Sequence, residues 1–295
     1  MNIDEAKSSK SNYIKYKLKY STVYSGTHGY TFSNYFDPDI INKNDIKLDA
    51  NKLLETKEYL NNQLQSNLQR YSSQVDKIKK YLESESKVLD IGCGGGLFLK
   101  LLQRIGFKVF GVELEPYRKE YCIQNGISIF NEDITKNDFI KKHHQSFDAV
   151  TLWDVIEHVN YPSSQLKAAF NILKKGGYIF IDTPAKDGFY HKLGSFLYSH
   201  TKGRFNFFLD IMYSDHMFGH KQIFSTIEME KELKSVGFEI KEISKFHELS
   251  FPYEFYLKKL LKSNFLVKLA KPIVSLLLII FPIKNKMLVV AKKPI

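Results

Sequence analysis

The sequence predicts an α/β fold organised around a doubly wound, mostly parallel sheet. Three observations carry that expectation. Short aliphatic runs alternate with amphipathic stretches between residues 87 and 183. The first run ends in a glycine turn, with Gly92, Gly94 and Gly96 at alternate positions. The second ends in an acid, Glu113, about twenty residues past that turn. Alternation of this kind places helices on both faces of a parallel sheet, with a ligand at the carboxyl ends of the strands.

The elements follow in order. The first fifty residues have weak periodicity, and Tyr13, Tyr16, Tyr20, Tyr24, Tyr30 and Tyr35 recur there among lysines. They read as an irregular arm over residues 1–47, with a turn at Gly26 to Gly29. From residue 48 to 83 apolar side chains recur at threes and fours, Leu53, Leu60, Leu64, Leu68, Tyr71, Val75 and Ile78 among them, which predicts two helices. Strands are expected at 87–91, 108–113, 127–130, 147–153 and 177–183, with helices at 96–105, 116–125 and 163–174. A long excursion after Pro184, residues 185–224, leads to a helix near 226–236. Ser225 with Glu228 forms a capping-box pattern at its start, and Gly237 is its stop. A strand at 238–244, a second insertion at 247–285 and a closing strand at 287–291 complete a domain spanning 48–295.

The first strand holds Val88, Leu89 and Ile91, with Asp90 inside it. The glycine spacing is D-x-G-x-G-x-G, which differs from the G-x-G-x-x-G that receives a pyrophosphate. An acid ahead of the turn repels a pyrophosphate and suits a cationic or amino-bearing ligand. Glu113 can accept hydrogen bonds from both hydroxyls of a ribose.

The D-I-G-C-G-G-G turn with its strand-terminal Glu113 resembles the cofactor site of class I S-adenosylmethionine-dependent methyltransferases. The resemblance spans residues 71–294 and includes Asn131-Glu132-Asp133, 147–158, 173–184 and 224–238. It implies a Rossmann-like, seven-stranded sheet whose last two strands form an antiparallel edge, with helical insertions, and S-adenosylmethionine as cofactor. It assigns Asp90, Gly92, Cys93, Gly94 and Gly96 to the cofactor turn, and Glu113 with Leu114 to the ribose. Asp133, with Ile134, is implied to meet the adenine amino group. Trp153 and Asp154 are implied beside the methionine part, with Asp154 on its amino group. A Tyr-rich upstream segment folds over the cofactor in related proteins, which would involve Tyr24 or Tyr30.

Methyl transfer from a sulfonium is an in-line displacement, so the protein must position an acceptor and, for a hydroxyl, take up a proton. Glu157-His158-Val159 after the fourth strand resembles the E-H-V of ubiquinone-biosynthesis O-methyltransferases. His158 is a candidate base because an imidazole titrates near neutrality. The competing reading is that Glu157 and His158 cap and orient the following segment. His216, ahead of Phe224-Ser225, is a second candidate base. No Cys or His spacing of a metal site is present, so no metal is expected.

The chain has 295 residues, 43% of them hydrophobic, which supports a full core. Its 2 cysteines, Cys93 and Cys122, point to a reducing compartment, and its polar first residues are unlike a secretory signal, so a cytoplasmic protein is expected. The net charge of +11 is compatible with nucleic acid, membrane or anionic partners. The aromatic excursion that includes Phe189, Tyr190, Phe196 and Phe208 has no recognised RNA-binding module before it, and nucleic acid is set aside in favour of an apolar acceptor pocket or a small subdomain core. Residues 257–282 combine Lys258, Lys259, Lys262, Lys268 and Lys271 with an apolar run between Pro272 and Pro282. That run is too short to span a bilayer, which needs about twenty residues. Peripheral membrane contact, packing on the domain and an oligomer seam all fit it. The function expected is O-methylation of a small or lipid-like metabolite. The alternatives are methylation of protein or nucleic acid, or a cofactor-binding inactive subunit supporting a partner.

Overall fold

The central strands are buried along almost their whole length, the pattern of a sheet covered on both faces. The computed structural model describes residues 1–38, 48–249, 252–280 and 283–295, the side chains of 64–66 and 279–280 excepted. In chain order the elements begin with α1 (Ile3–Lys7), β1 (Tyr13–Lys17), β2 (Thr22–Ser25), β3 (Thr31–Ser33), α2 (Ala50–Ser66) and α3 (Leu68–Lys79). The alternating units are β4 (Lys87–Ile91), α4 (Leu97–Arg104), β5 (Lys108–Val112), α5 (Pro116–Gln124), β6 (Ser128–Phe130), α6 (Asn137–Lys142), β7 (Phe147–Trp153), α7 (Pro162–Ile172) and β8 (Leu173–Pro184). The first excursion holds α8 (Phe189–His200), α9 (Phe207–Met212) and β9 (Gln222–Ile223), and leads to α10 (Thr226–Val236) and β10 (Glu239–Phe246). The second holds α11 (Tyr253–Leu261) and α12 (Asn264–Ile280), before β11 (Lys286–Lys292).

The main sheet has seven strands in the order β10-β11-β8-β7-β4-β5-β6. Strands β6, β5, β4, β7 and β8 are parallel neighbours, and β11 is antiparallel to both β8 and β10. The sheet is thus Rossmann-like and mostly parallel, closed at one side by an antiparallel edge. The order reverses at β4, so a crevice opens between the carboxyl ends of β4 and β7. One core cluster on one face joins Leu89, Val150, Leu152 and Ile181 to α7 and α10, and a second on the other face joins Val88, Phe98, Leu99, Leu102 and Phe180 to α3 and α4.

Local chemistry explains the main boundaries. Ser225 accepts from the Glu228 amide while the Glu228 carboxylate accepts from the Ser225 amide, the full capping box, and Gly237 ends α10 at φ 110°. Pro116 opens α5, and the Glu115 carboxylate caps it by accepting from the Tyr117 and Arg118 amides.

The arm departs from the irregular reading. Strands β1, β2 and β3 form an antiparallel sheet that is completed by β9 from the first excursion. Tyr30 and Phe32 are buried in the main core, and Tyr16 and Val23 pack with Leu209, Tyr213 and Ile223. The strands are short, and β1 buries only one of its 5 residues, so no period shows in the sequence. Tyr30 is not held over the cofactor turn: its hydroxyl donates to the buried Glu232 carboxylate at 2.5 Å. In the second excursion, α12 runs through Pro272 as one helix of 17 residues. The arm boundary at residue 47 and the end of the apolar run at Phe281 and Pro282 lie outside the described residues. Among those described, no helix is long and apolar enough to cross a membrane.

Candidate active site

The glycine turn follows β4 and is pinned to the end of β5. The Gly92 and Cys93 amides both donate to the Val112 carbonyl, at 2.8 and 3.1 Å. Gly92 has φ 67°, and a Cβ there would lie 2.8 Å from a Val155 methyl, so this position admits only glycine without a shift. Gly94 has φ 56° with nothing within 4 Å of a built Cβ. The backbone at Gly94 is therefore bare toward open space, as a loop that a ligand approaches closely requires. Cys93 and Cys122 are buried free thiols, and their mutual contact and burial push the Cys93 thiol up, away from a nucleophilic thiolate.

Asp90 is buried on β4 and accepts from the Thr151 hydroxyl at 2.6 Å. Burial pushes its carboxyl up to about 8, and the nearby Asp182 and Glu113 add to that. Glu113, also buried, has one carboxylate oxygen accepting from the Leu114 and Glu115 amides, each at 2.8 Å. These bonds fix the carboxylate against β5, while burial raises its pKa. Asp133 is exposed beyond β6 and turns one oxygen onto the Thr135 amide and hydroxyl, with Ile134 buried beside it. Trp153 packs edge-on against Phe98, and its buried indole N–H has no partner among the described residues.

Asp154 has its carboxylate held by Arg70 and Lys286, each at 2.5 Å. Its backbone sits at φ 53°, an uncommon conformation for a non-glycine residue, and its amide donates to Asp182 at 2.8 Å. Glu248 from the second excursion joins this network, 3.3 Å from Arg70 and 2.9 Å from Lys286. Burial alone would raise the Asp154 pKa, but Lys286 and Arg70 hold it well below the usual carboxylate range.

Next to this network is a cavity of about 180 Å³, lined among others by Asp154, His158, His220, Glu248, Tyr256 and Lys286. A larger cleft of about 310 Å³, lined by Glu55, Tyr59 and Arg118 among others, includes none of the glycine-turn residues. The smaller one holds the groups suited to proton transfer, so it is the acceptor-site candidate. The His158 and His220 rings are 4.6 Å apart. Burial lowers the His158 pKa, and burial followed by His158 lowers that of His220 to about 4, so both rings are neutral near pH 7. His220 donates through Nδ1 to the Met212 carbonyl at 3.1 Å, which leaves its Nε2 as a lone-pair donor. Glu157 is fully buried and accepts from the Thr183 hydroxyl at 2.9 Å, while its other oxygen has no hydrogen-bond partner among the described residues.

Ligand atoms of Glu157, His158 and His220 all lie within 4.8 Å of one another. One carboxylate and two neutral imidazoles form a donor set that can hold a divalent ion, where the sequence reading expected no metal residues. His216, the second candidate base, is not brought to the site. It is exposed, and its Nδ1 donates to the adjacent Met217 carbonyl at 2.9 Å. His220 takes that place, and the backbone shows why. The Lys221 amide donates to the Glu157 carbonyl at 2.8 Å, and the Gln222 side chain donates to the Ile156 and Val159 carbonyls at 2.7 and 2.9 Å. The buried Lys221 ammonium bridges the His158 carbonyl, at 2.6 Å, and Asp37 of the arm, at 2.9 Å. Hydrogen bonds thus lock segment 219–222 onto segment 156–159.

Residues 57–243, more than half of the chain, match the family model described as a methyltransferase domain. Among curated relatives, the ubiquinone biosynthesis O-methyltransferase of Glaesserella parasuis is 35% identical over 105 residues, 33% of this chain and 44% of that protein. The enzyme of the same name from Klebsiella pneumoniae is 35% identical over 106 residues, 35% of this chain and 44% of that one. The matched stretch therefore spans less than half the length of these relatives. Among solved structures, a SAM-dependent methyltransferase from Methanosarcina mazei superposes with a TM-score of 0.52 at 18% identity, covering 74% of this chain and 97% of its own. A methyltransferase from Bacillus halodurans does so with a TM-score of 0.50 at 19% identity, covering 76% and 100%. These two likenesses concern the fold. The chain belongs to the methyltransferase-domain family.

Proposed function

We propose that this enzyme methylates an oxygen on a small or lipid-like metabolite. The observation that carries the reading is the pair of neutral imidazoles, His158 and His220, at a cavity beside the carboxyl ends of β7 and β8. The bound cofactor supplies a methyl group on a positively charged sulfur with a good leaving group. The backbone at Gly92, Cys93, Gly94 and Gly96 would cradle it, Glu113 would accept from its ribose, Asp133 and Ile134 would border its adenine, and Leu114 and Trp153 would wall the site. The glycine turn fits that group, because its backbone is bare at Gly94 and a buried carboxylate is fixed alongside. Asp90 contributes through its bond to Thr151 rather than as an exposed charge.

His158 accepts the proton of the acceptor hydroxyl as the oxygen becomes a nucleophile. A ring kept neutral by burial is in the correct state to do so. Lys221, through the His158 carbonyl, and Glu157, through Thr183, hold the segment in place. The curated relatives carry O-methyltransferase names, which supports an oxygen acceptor. The test is release of S-adenosylhomocysteine when the enzyme is offered lipid, small-molecule, protein and RNA fractions of a lysate. Turnover with the lipid or small-molecule fraction, giving an alkali-stable methyl ether, is the expected result. Turnover confined to the protein or RNA fraction overturns the acceptor class.

A further inference from the structure

The second excursion forms a hairpin of two helices that projects an apolar stripe. Phe265 is 69% exposed, Leu269 54%, Ile273 62% and Leu276 57%, with Leu266 and Leu277 beside them. At about 100° per residue these six positions fall within one arc of roughly 120° on α12. Val267, on the other side of the helix, is buried. The hairpin is held together by α11–α12 contacts: Tyr253 and Ser275 hydroxyls bond at 2.6 Å, and Lys271 pairs with Glu254 at 2.7 Å. A contiguous exposed stripe of this kind on a helix marks an interaction surface.

Charge distinguishes its occupant. The hairpin carries Lys258, Lys259, Lys262, Lys268 and Lys271, all exposed, against a single acid, Glu254. Lys258, Lys259 and Lys262 cluster at the α11–α12 turn, next to the start of the stripe. An apolar stripe fringed by lysines matches a surface with an apolar interior and anionic headgroups. At 17 residues, about 26 Å of helix, α12 can lie in such an interface. The hairpin is also tied to the active site. Tyr256 of α11 lines the His158–His220 cavity, and Glu248, just ahead of the hairpin, pairs with Arg70 and Lys286 there.

We propose that the α11–α12 hairpin docks the enzyme onto an anionic phospholipid surface, with the cavity entrance beside the headgroup layer. The consequence for acceptor delivery rests on the lipid-like acceptor proposed above, but docking itself requires no turnover, so the two can fail separately.

Flotation of the full chain with phosphatidylglycerol-containing vesicles, against pure phosphatidylcholine, tests this. The expected result is flotation with the anionic vesicles at low salt and loss of it at high salt, as screening of surface charge demands. Leu276→Asp with Leu277→Asp should remain at the bottom of the gradient while its thermal unfolding and cofactor binding match wild type. Lys258→Glu, Lys259→Glu and Lys262→Glu together should reduce the bound fraction about tenfold or more. These lysines are exposed, so this second variant decides the matter should the first fail to fold. Wild type that floats with neither vesicle overturns the proposal. So does equal, salt-insensitive flotation with both. Light scattering that shows a wild-type dimer, made monomeric by the Asp variant, without flotation, assigns the stripe to a second copy of the chain instead.

Discussion

The imidazole rings of His158 and His220 stand 4.6 Å apart because Lys221 and Gln222 bond their segment to the backbone of residues 156–159. Two histidines from distant parts of the chain thereby share one cavity, with the buried Glu157 carboxyl close to both. His216, only four positions before His220, points away into solvent. Substitution of the three histidines should separate them. His158→Ala should lower turnover about 10²–10⁴-fold with cofactor binding retained, as loss of a general base does. His220→Ala should cause a smaller loss, and His216→Ala none. Initial rates of S-adenosylhomocysteine release from the active lysate fraction measure this. Normal turnover in His158→Ala would leave positioning, without proton uptake by that ring, as the account of catalysis.

The ion network beside that cavity makes a stability prediction. Lys286 is buried and lies within 3.3 Å of carboxylate oxygens of Asp154, Asp182 and Glu248. Burial alone would lower its pKa, but Asp154 and Asp182 raise it above the ordinary value. Lys286→Met keeps the side-chain length and removes the charge, which leaves Arg70 facing three carboxylates. Breaking a buried pair in this manner costs about 3–5 kcal/mol. Urea unfolding at neutral pH should show a loss of unfolding free energy of that size, read as the midpoint shift multiplied by m. A change below about 1 kcal/mol would mean that water screens the network as it does a surface pair.

The cofactor turn predicts two distinct phenotypes. Glu113→Ala removes the proposed ribose acceptor and should weaken S-adenosylmethionine binding by about 1.5–3 kcal/mol, read by titration calorimetry. Gly92→Ala places a methyl 2.8 Å from Val155 at a positive φ and should destabilise the fold. Gly94→Ala meets nothing within 4 Å, so its cost in stability is limited to backbone strain at φ 56°, without a clash, and its larger effect should be on cofactor affinity. Equal affinity in Glu113→Ala and wild type removes Glu113 from the site.

Much of this was legible in the sequence, for physical reasons that can be named. The strands expected at 87–91 and 147–153 coincide with β4 and β7, because buried parallel strands are continuous apolar runs bounded by turn residues. The helix at 226–236 coincides with α10, because a capping box and a terminal glycine mark both ends. The three-stranded arm was not legible, since β1 buries a single residue and β3 depends on pairing with the distant β9. The approach of His220 to His158 and the pairing of Asp154 with Lys286 were missed for a related reason. Neither follows from spacing along the chain. Each depends on partners, Lys221 with Glu157 and Lys286 with Asp154, that only the closed sheet brings together.

Asp90 gives a pH dependence with a definite sign. It is buried on β4, its one oxygen accepts from Thr151 at 2.6 Å, and burial raises its pKa to about 8. An unfolded aspartate titrates near 3.9. Between about pH 4 and pH 8 the folded state therefore holds a proton that the unfolded state has lost. Stability from this group falls as pH rises through that window and levels off above the folded pKa, with a slope of at most about 1.4 kcal/mol per pH unit. Asp90→Asn keeps an oxygen acceptor for Thr151 and cannot ionise. Its stability relative to wild type should increase steadily from acid to neutral pH and become constant in mild alkali. Urea unfolding of both proteins across that range measures the difference. Curves that run parallel throughout would show that Asp90 is ionised in the fold, with a counter-charge or solvent offsetting its burial.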